Sequence, residues 1–110
     1  MPESMPVIKI FTTEAVPRAA TEALACELEK LCLDLLRAQP HAIQIALIQA
    51  AMPRGAQVLV EAHYRAPPYR DEAALSGFMD GVEQSVQRHL SALPRIRCFA
   101  VDQAGLSARH

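Results

Sequence analysis

The sequence has few of the features that mark nucleic-acid-binding or membrane proteins. Its 110 residues carry 11 basic and 12 acidic side chains and a formal net charge of −1, so no basic field is available to steer nucleic acid. No stretch approaches the ~18 uninterrupted apolar residues of a membrane-spanning helix, and Glu3 stands where a secretion signal has a basic segment. We therefore predict a cytoplasmic protein with no nucleic-acid partner and no membrane partner.

Cysteine is scarce, and this scarcity bears on metal and redox chemistry. Cys26, Cys32 and Cys98 are odd in number, and no two of them have the spacing of a metal knuckle or a redox motif. No grouping of His, Cys, Asp and Glu has metal-ligand spacing either. We expect the three cysteines to be reduced, buried packing residues, and we predict neither a metal ion nor a cofactor.

What the chain does contain is apolar material, at 51% of residues against 21% charged, which suits one soluble domain with a core. The β-branched run at 7–11 predicts a strand, and Pro17 is well placed to open a helix that runs to about Arg37. Residues 42–50 predict a second strand that is apolar on both faces and therefore covered on both. The predicted buried stripe of the helix consists of Ala20, Leu24, Leu28, Leu31 and Leu35.

The same pattern then recurs at an offset of 51 residues, which places Val7 on Val58. The second copy predicts a strand at 58–64, a helix at about 71–90 and a strand at 95–101. Two successive β-α-β units predict an α/β (α+β) fold of β-α-β-β-α-β order with a pseudo-twofold internal repeat. Because crossovers between parallel strands are right-handed, both helices should lie on one face of a four-stranded sheet.

The other face of that sheet would be bare in a monomer. Strands two and four carry apolar residues on both faces, so an isolated subunit would expose a large apolar surface, and oligomerisation is the simplest remedy. Gly77 and Gly81 lie one turn apart in the second helix, and each costs about 1 kcal/mol relative to alanine. We expect them to permit a close approach of that helix to the sheet.

The most informative stretch is Met5-Pro6-Val7-Ile8-Lys9-Ile10. If translation starts at Met5 and that methionine is removed, Pro6 carries a free secondary amine at the mouth of a strand. An α-amino group titrates at about 7.7–8.0, and an apolar setting or a nearby cation such as Lys9 lowers that value, so this amine can act as a general base. If the chain keeps residues 1–5, the Pro6 nitrogen is a tertiary amide without usable basicity.

The Met-Pro-x-Ile-x-Ile opening, the tandem repeat and the length resemble the tautomerase superfamily, in the double-length branch that includes 5-carboxymethyl-2-hydroxymuconate isomerase and macrophage migration inhibitory factor. The resemblance covers residues 6–101. It implies a homotrimer whose sheets wrap into a barrel, and cofactor-independent chemistry with Pro6 as general base on a 2-oxo or dienol carboxylate. It also implies that Arg65 and Arg70 bind this small-molecule carboxylate substrate, and Lys9, three residues from Pro6, is a further candidate for substrate binding. Residues 1–5 are then an extension and 6–110 the single domain.

Two features favour a different function. Strand two contains Ile43-Gln44-Ile45-Ala46, where isomerases of this group resemble one another in having arginine, and five residues precede Pro6. The alternative is a catalytically silent relative, or a non-enzymatic ferredoxin-like module for ligand binding or assembly, since β-α-β-β-α-β order also describes such domains. Arg65 and Arg70 would then be solvated loop charges.

Overall fold

The computed structural model describes residues 5–65 and 71–109, and its elements follow the predicted β-α-β-β-α-β order. Each strand and helix lies within a few residues of its expected position, so the predicted fold class is confirmed. The elements are β1 Val7–Thr12, α1 Arg18–Asp34, β2 Gln44–Gln49, β3 Val58–Arg65, α2 Glu72–Leu90 and β4 Arg95–Val101, with short 3-10 turns at Pro40–Ala42 and Gln103–Gly105.

The four strands form one mixed sheet in the order β2-β1-β3-β4. Each β-α-β unit contributes a parallel pair, β1 with β2 and β3 with β4, and the two units meet through antiparallel pairing of β1 with β3. In this register Val7 lies between Gln44 and His63, and His63 in turn lies beside Phe99. The central strands therefore come from different halves of the chain, and each half supplies one edge strand.

The hydrophobic core lies between the sheet and the two helices, which pack on the same face as predicted. Alternate strand residues such as Ile8, Ile10 and Val60 are fully buried there, because successive side chains of a strand point to opposite faces. The helices meet this layer with side chains three and four positions apart, which share one side of a helix. The fully buried helix residues are Leu24, Leu28, Cys32, Phe78, Val82 and Val86.

These buried positions correct the predicted offset between the repeats. Leu24 and Leu28 are buried as expected, but Cys32 completes their row in α1, whereas Leu31 and Leu35 are only partly buried against the core. The equivalent row in α2 is Phe78, Val82 and Val86, which lies 54 residues further along the chain instead of 51.

The glycines of α2 face the other helix, so the prediction that they approach the sheet was wrong. A Cβ atom at Gly81 would lie 2.5 Å from Leu31 Cδ2, whereas one at Gly77 would lie 3.7 Å from Leu35 Cδ1. The first distance is shorter than side chains tolerate and the second is an ordinary van der Waals contact. Gly81 therefore accommodates Leu31 where the two helices pack together.

The first helix and the second strand are both shorter than predicted, and local backbone geometry explains why. Arg37 adopts a left-handed conformation with φ of 53°, and the Ala38 N–H donates to the Cys32 carbonyl at 3.0 Å. This six-residue hydrogen bond is typical of a Schellman end, so the helix stops before Arg37. The 3-10 turn at Pro40–Ala42 then delays β2 until Gln44.

No layer of the described residues covers the second face of the sheet, and we call it the open face. Its β3 and β4 residues alternate with the core-facing set, and Phe99 is 44% exposed. The described residues likewise cover β2 on one face only. We predicted that β2 is covered on both faces, and the second cover would have to come from another molecule. The open face consists of Val7, Lys9, Phe11, Gln44, Ala46, Ile48, Leu59, Glu61, His63, Arg65, Arg95, Arg97, Phe99 and Val101.

Candidate functional site

Pro6 is fully buried immediately before β1. Its carbonyl accepts a hydrogen bond from the Gln44 N–H at 3.0 Å, which extends the pairing of β1 with β2 by one step. Met5 precedes it and is 6% exposed, so the Pro6 nitrogen is part of a buried peptide bond when Met5 is present. A chain that begins at Pro6 would place a free amine at this position.

Arg65 lies at the same end of the sheet as Pro6. Because β1 and β3 are antiparallel, with Val7 opposite His63, the start of β1 adjoins the last residues of β3. Arg65 is the final residue of β3, is partly buried, and is in register with Val101 of β4. The structure therefore brings Pro6 and Arg65 to one end of the sheet, whereas Arg70 lies outside the described residues.

A cavity lies at this end of β4. It has a volume of about 320 Å³ and is lined by Ala100, Val101, Asp102 and Gly105. Asp102 accepts a hydrogen bond from the Gly105 N–H at 2.8 Å, which holds the 3-10 turn that closes one side of the cavity. The register of Arg65 with Val101 places this arginine beside the cavity wall.

Lys9 lies further along β1 and on the open face. Its register neighbours are Ala46 and Glu61, and the buried residues Ile8 and Ile10 on either side of it face the helices. In extended backbone a spacing of three residues reverses the side-chain direction. A single chain therefore does not bring Lys9 beside Pro6, and its role toward the amine or the substrate stays a prediction.

His63 also lies on the open face, between Val7 and Phe99. Its ring stacks on the Phe99 ring with centroids 4.8 Å apart, and its Nε2 lies 3.5 Å from a Glu61 carboxylate oxygen. The stacking fixes the imidazole against an exposed aromatic ring. This arrangement suits a structural or interface role for His63 better than a catalytic one.

The cysteines differ in burial, which corrects the expectation that all three are buried. Cys26 is exposed, Cys32 is buried and Cys98 is intermediate, and all three are free thiols. Burial raises the pKa of the Cys98 thiol, so the nucleophilic thiolate is disfavoured there. Within residues 5–65 and 71–109, no group of three His, Cys, Asp or Glu side chains is arranged to hold a metal ion.

A polar cluster between the helices is the main feature that the sequence did not reveal. The Glu27 carboxylate on α1 accepts hydrogen bonds from Ser85 Oγ at 2.8 Å, from Arg88 and from His89 Nε2 at 2.6 Å. These hydrogen bonds, that of His89 first and that of Ser85 next, hold the pKa of Glu27 below its usual value. Glu27 and His89 are 62 residues apart, so no local pattern in one sequence could pair them.

His89 also borders a second cavity, of about 170 Å³, between the end of β1 and the end of α2. Thr12, Thr13 and Gln57 line its other side, at the opposite end of β1 from Pro6. The Glu27 cluster therefore joins the two helices at a distance from the end of the sheet where Pro6 and Arg65 lie.

No family model and no curated protein matches this sequence, but solved structures match its fold. A fused 4-OT symmetric trimer matches with a TM-score of 0.80 and 15% identity, over 94% of this chain and 92% of that chain. Macrophage migration inhibitory factor of Toxoplasma gondii matches with a TM-score of 0.75 and 14% identity, over 93% and 95% of the two chains. A macrophage migration inhibitory factor-like protein of Entamoeba histolytica matches with a TM-score of 0.75 and 9% identity, over 96% of each chain.

The chain therefore has the fold of the fused 4-OT and macrophage migration inhibitory factor structures, as the resemblance of its opening and its repeat to the tautomerase superfamily implies. It is a compact globule, and none of the helices in the described part of the chain is long and apolar enough to cross a membrane.

Proposed function

We propose that this protein is a tautomerase or isomerase in which Pro6, as the first residue, is the general base on a 2-oxo or dienol carboxylate. The observation that carries this proposal is that Pro6 and Arg65 lie at one end of a tautomerase-fold sheet, the end at which β4 borders the 320 Å³ cavity. Residues 1–5 are then an extension that the active chain lacks, because translation starts at Met5 and that methionine is removed, and the domain is 6–110. The free cysteines suit a reducing compartment, and we infer that the protein is cytoplasmic.

The proposed chemistry needs only a base and a cation. The neutral Pro6 amine takes a proton from a carbon or from a dienol oxygen, and the substrate C–H or O–H bond breaks as an N–H bond forms. The proton then returns to the other end of the conjugated system. The guanidinium of Arg65 binds the substrate carboxylate through paired hydrogen bonds and opposes the negative charge that develops on the enolate. Arg70 and Lys9 are proposed as further contacts to the carboxylate.

We also propose that the protein is a homotrimer, as the fused 4-OT neighbours are. The open face supports this proposal because it exposes Phe99 and leaves Val7, Phe11 and Leu59 only partly covered in a single chain. Light scattering of the dilute full-length chain should give the mass of three copies. A mass of one copy would overturn the trimer.

The proposal for Pro6 is tested by the start of the chain. A chain begun at Met5 should lose that methionine, expose the Pro6 amine and turn over a small 2-oxo acid such as a phenylenolpyruvate. A chain begun at Met1 should be about 10²–10⁴-fold slower, because an acylated nitrogen has its lone pair in the peptide bond. A third chain, which keeps a single alanine before Pro6, separates loss of the base from crowding by the longer extension.

In this experiment mass spectrometry must first establish the first residue of each chain. Equal activity of the Met5-start and Met1-start chains would show that Pro6 is not the base. Activity of the alanine-extended chain near that of the Met5-start chain would show that the extension acts by bulk alone, which also removes Pro6 from the mechanism.

The second candidate is a catalytically silent relative or a ligand-binding module. It is favoured by β2, where Gln44, Ala46 and Ile48 occupy the open face without a cation, and by the buried Met5 before Pro6. In that case every chain should be trimeric and inert toward several 2-oxo acids, whichever residue begins it.

A further inference from the structure

The charges of this protein are separated between its helices and its open face. The two helices together contain seven acidic and three basic residues, although the whole chain has a net charge of only −1. The described part of the open face has the opposite balance, with Glu61 as its one carboxylate. Its cations are Lys9, Arg65, Arg95 and Arg97.

Three of these cations form a compact group. Arg95 and Arg97 are alternate residues of β4, so their Cα atoms are about 6.6 Å apart on the same face. Lys9 lies in the same row as Arg97, with Glu61 of β3 between them, so two strand spacings or roughly 9.5 Å separate the two. In the single chain the Arg95 guanidinium lies beside Gly55, but all three side chains are long and start from one face, so they can turn toward one small anion.

Within the described residues, no carboxylate forms an ion pair with these three cations. Among residues 5–65 and 71–109, the ion pairs join His63 to Glu61 and join Arg88 and His89 to Glu27, and none includes Lys9, Arg95 or Arg97. Arg97 donates only to the neighbouring Ile96 carbonyl, at 3.0 Å. Glu61 lies beside the ring of His63, so it balances at most one of the three charges.

Closed symmetric assembly through the open face would bring these unpaired cations of every copy toward one axis, since each copy uses the same surface. The apolar residues of the face favour association, whereas the converging positive charges oppose it. A bound anion between the copies would remove the repulsion and would bind the assembly better than the separate chains.

We propose that the open faces of assembled copies bind a doubly charged oxyanion through Lys9, Arg95 and Arg97, and that this anion stabilises the assembly. This inference rests on the trimer proposed above but not on Pro6 or on catalysis, and it assigns Lys9 to this anion in place of the substrate carboxylate. The ligand chemistry is that of inorganic phosphate or sulfate, whose several oxygens can accept from two guanidinium groups and an ammonium group.

The test measures self-association of the full-length chain by sedimentation over a dilution series, with inorganic phosphate as the probe. Low millimolar phosphate is compared with chloride at equal ionic strength, so that general screening is the same in both buffers. The double variant R95Q/R97Q removes two of the cations. The double variant R18Q/K30Q removes two cations from α1 and serves as the matched control.

For the wild type and for R18Q/K30Q, phosphate should lower the dissociation constant of the assembly by about tenfold or more, as expected when the anion concentration is well above its own dissociation constant. R95Q/R97Q should assemble in chloride without phosphate and should lose the phosphate response. Circular dichroism should show the same secondary structure for all three proteins.

Three results would overturn the inference. The first is an equal effect of phosphate and chloride on the wild type. The second is a phosphate response that persists in R95Q/R97Q, because a general salting effect on apolar surface needs no arginine. The third is loss of assembly by folded R95Q/R97Q in every buffer, which would mean that the arginines bind carboxylates of a neighbouring copy. A wild-type chain that is monomeric in both buffers would overturn the trimer itself, whatever its activity.

Discussion

The two β-α-β halves share a topology but differ at the ends of their elements. The first half begins with the buried Pro6 and ends its first strand on the uncharged Thr12, whereas the second half has Gln57 before its first strand and ends that strand on Arg65. Pro6 before β1 and Arg65 at the end of β3 lie at the same end of the sheet because β1 and β3 are antiparallel. The fold is therefore repeated, but the candidate chemistry is divided between the halves.

The helices of the two halves also differ. α1 begins after Pro17 without a side-chain cap, whereas Asp71 caps α2 by accepting from the Ala74 N–H at 2.9 Å. In addition, α2 supplies Gly81 to accommodate Leu31 of α1, and supplies the donors to Glu27. The helix of the second half thus supplies both the space for Leu31 and the hydrogen-bond donors to Glu27. This difference between the halves can be tested one site at a time.

The largest expected effect concerns the ends of β1 and β3. If Arg65 binds the substrate carboxylate, R65A should fold normally and lose about 1.5–3 kcal/mol of binding to that carboxylate, or roughly 10- to 150-fold in kcat/KM. R54A, a change of an exposed loop arginine between the halves, is the matched control. Unchanged kinetics of R65A on a substrate that the native protein turns over would return Arg65 to the role of a solvated charge.

The glycines of α2 separate the contact with α1 from helix propensity. G77A should raise the free energy of unfolding by about 0.5–1 kcal/mol, because its Cβ meets only an ordinary contact and alanine favours the helix. G81A gains the same propensity but overpacks against Leu31, so we expect a net loss of about 1 kcal/mol. Urea denaturation of both variants provides the measurement.

The double variant L31A/G81A identifies the cause of any loss in G81A. Removal of the Leu31 methyl groups should make the alanine at 81 favourable, so G81A should be less harmful in the L31A background than in the wild type. Equal effects in the two backgrounds would show that Leu31 is not the obstacle.

The Glu27 cluster should make the packing of the helices sensitive to acid. Because the folded-state pKa of Glu27 is lowered, its stabilising contribution is present above the unfolded value of 4.5 and is lost as the pH falls through the folded value. E27Q should cost about 1 kcal/mol at neutral pH, a value discounted because the carboxylate is partly exposed.

The difference between wild type and E27Q should therefore shrink below about pH 4.5 in unfolding experiments. E29Q, at an exposed position on the same helix, should follow the wild type at every pH. A difference between E27Q and the wild type that stays constant with pH would mean that the charge of Glu27 is not what stabilises the contact.

The smallest expected effect concerns the helix starts. D71A should lower the free energy of unfolding by about 0.5–1 kcal/mol, because the Ala74 N–H loses its acceptor. D71S keeps an acceptor and should recover most of that loss. P17A should change stability less than D71A, since α1 has no side-chain cap to lose. If thermal denaturation shows that P17A is less stable than D71A, the side-chain cap is not what distinguishes the two helix starts.

Most of the fold could be predicted because local hydrophobic patterns in the sequence indicate its strands and helices. The β-branched run before Thr12, the Leu24–Leu28 spacing and the recurrence of both gave every strand and helix. Cys32 was missed as a row member because cysteine is a weak hydrophobic signal, and the row then drifted to Leu31. That drift fitted the helices to the offset of 51, and Gly77 and Gly81 were assigned to the sheet because nothing local reveals how two helices pack.

The candidate site was less predictable than the fold. Pro6 was singled out as a potential free amine before a strand and Arg65 from a family resemblance, and only the antiparallel register shows that they share one end of the sheet. Lys9 was chosen because it is close to Pro6 in sequence. Side chains alternate between the two faces of a strand, however, so the two residues are not close in space. The Glu27 contacts join residues far apart in the chain, and such pairs follow from packing alone.

The sheet order has a consequence for the newly made chain. β2 is an outer strand with the sequence QIALIQ, which contains neither a charge nor a proline, and its outward backbone groups pair with nothing in the described single chain. Bare edges of this kind recruit other strands, whereas β4 at the opposite edge carries two arginines that discourage such pairing. A single subunit of the proposed trimer would therefore present one sheet edge that is prone to aggregation until it assembles.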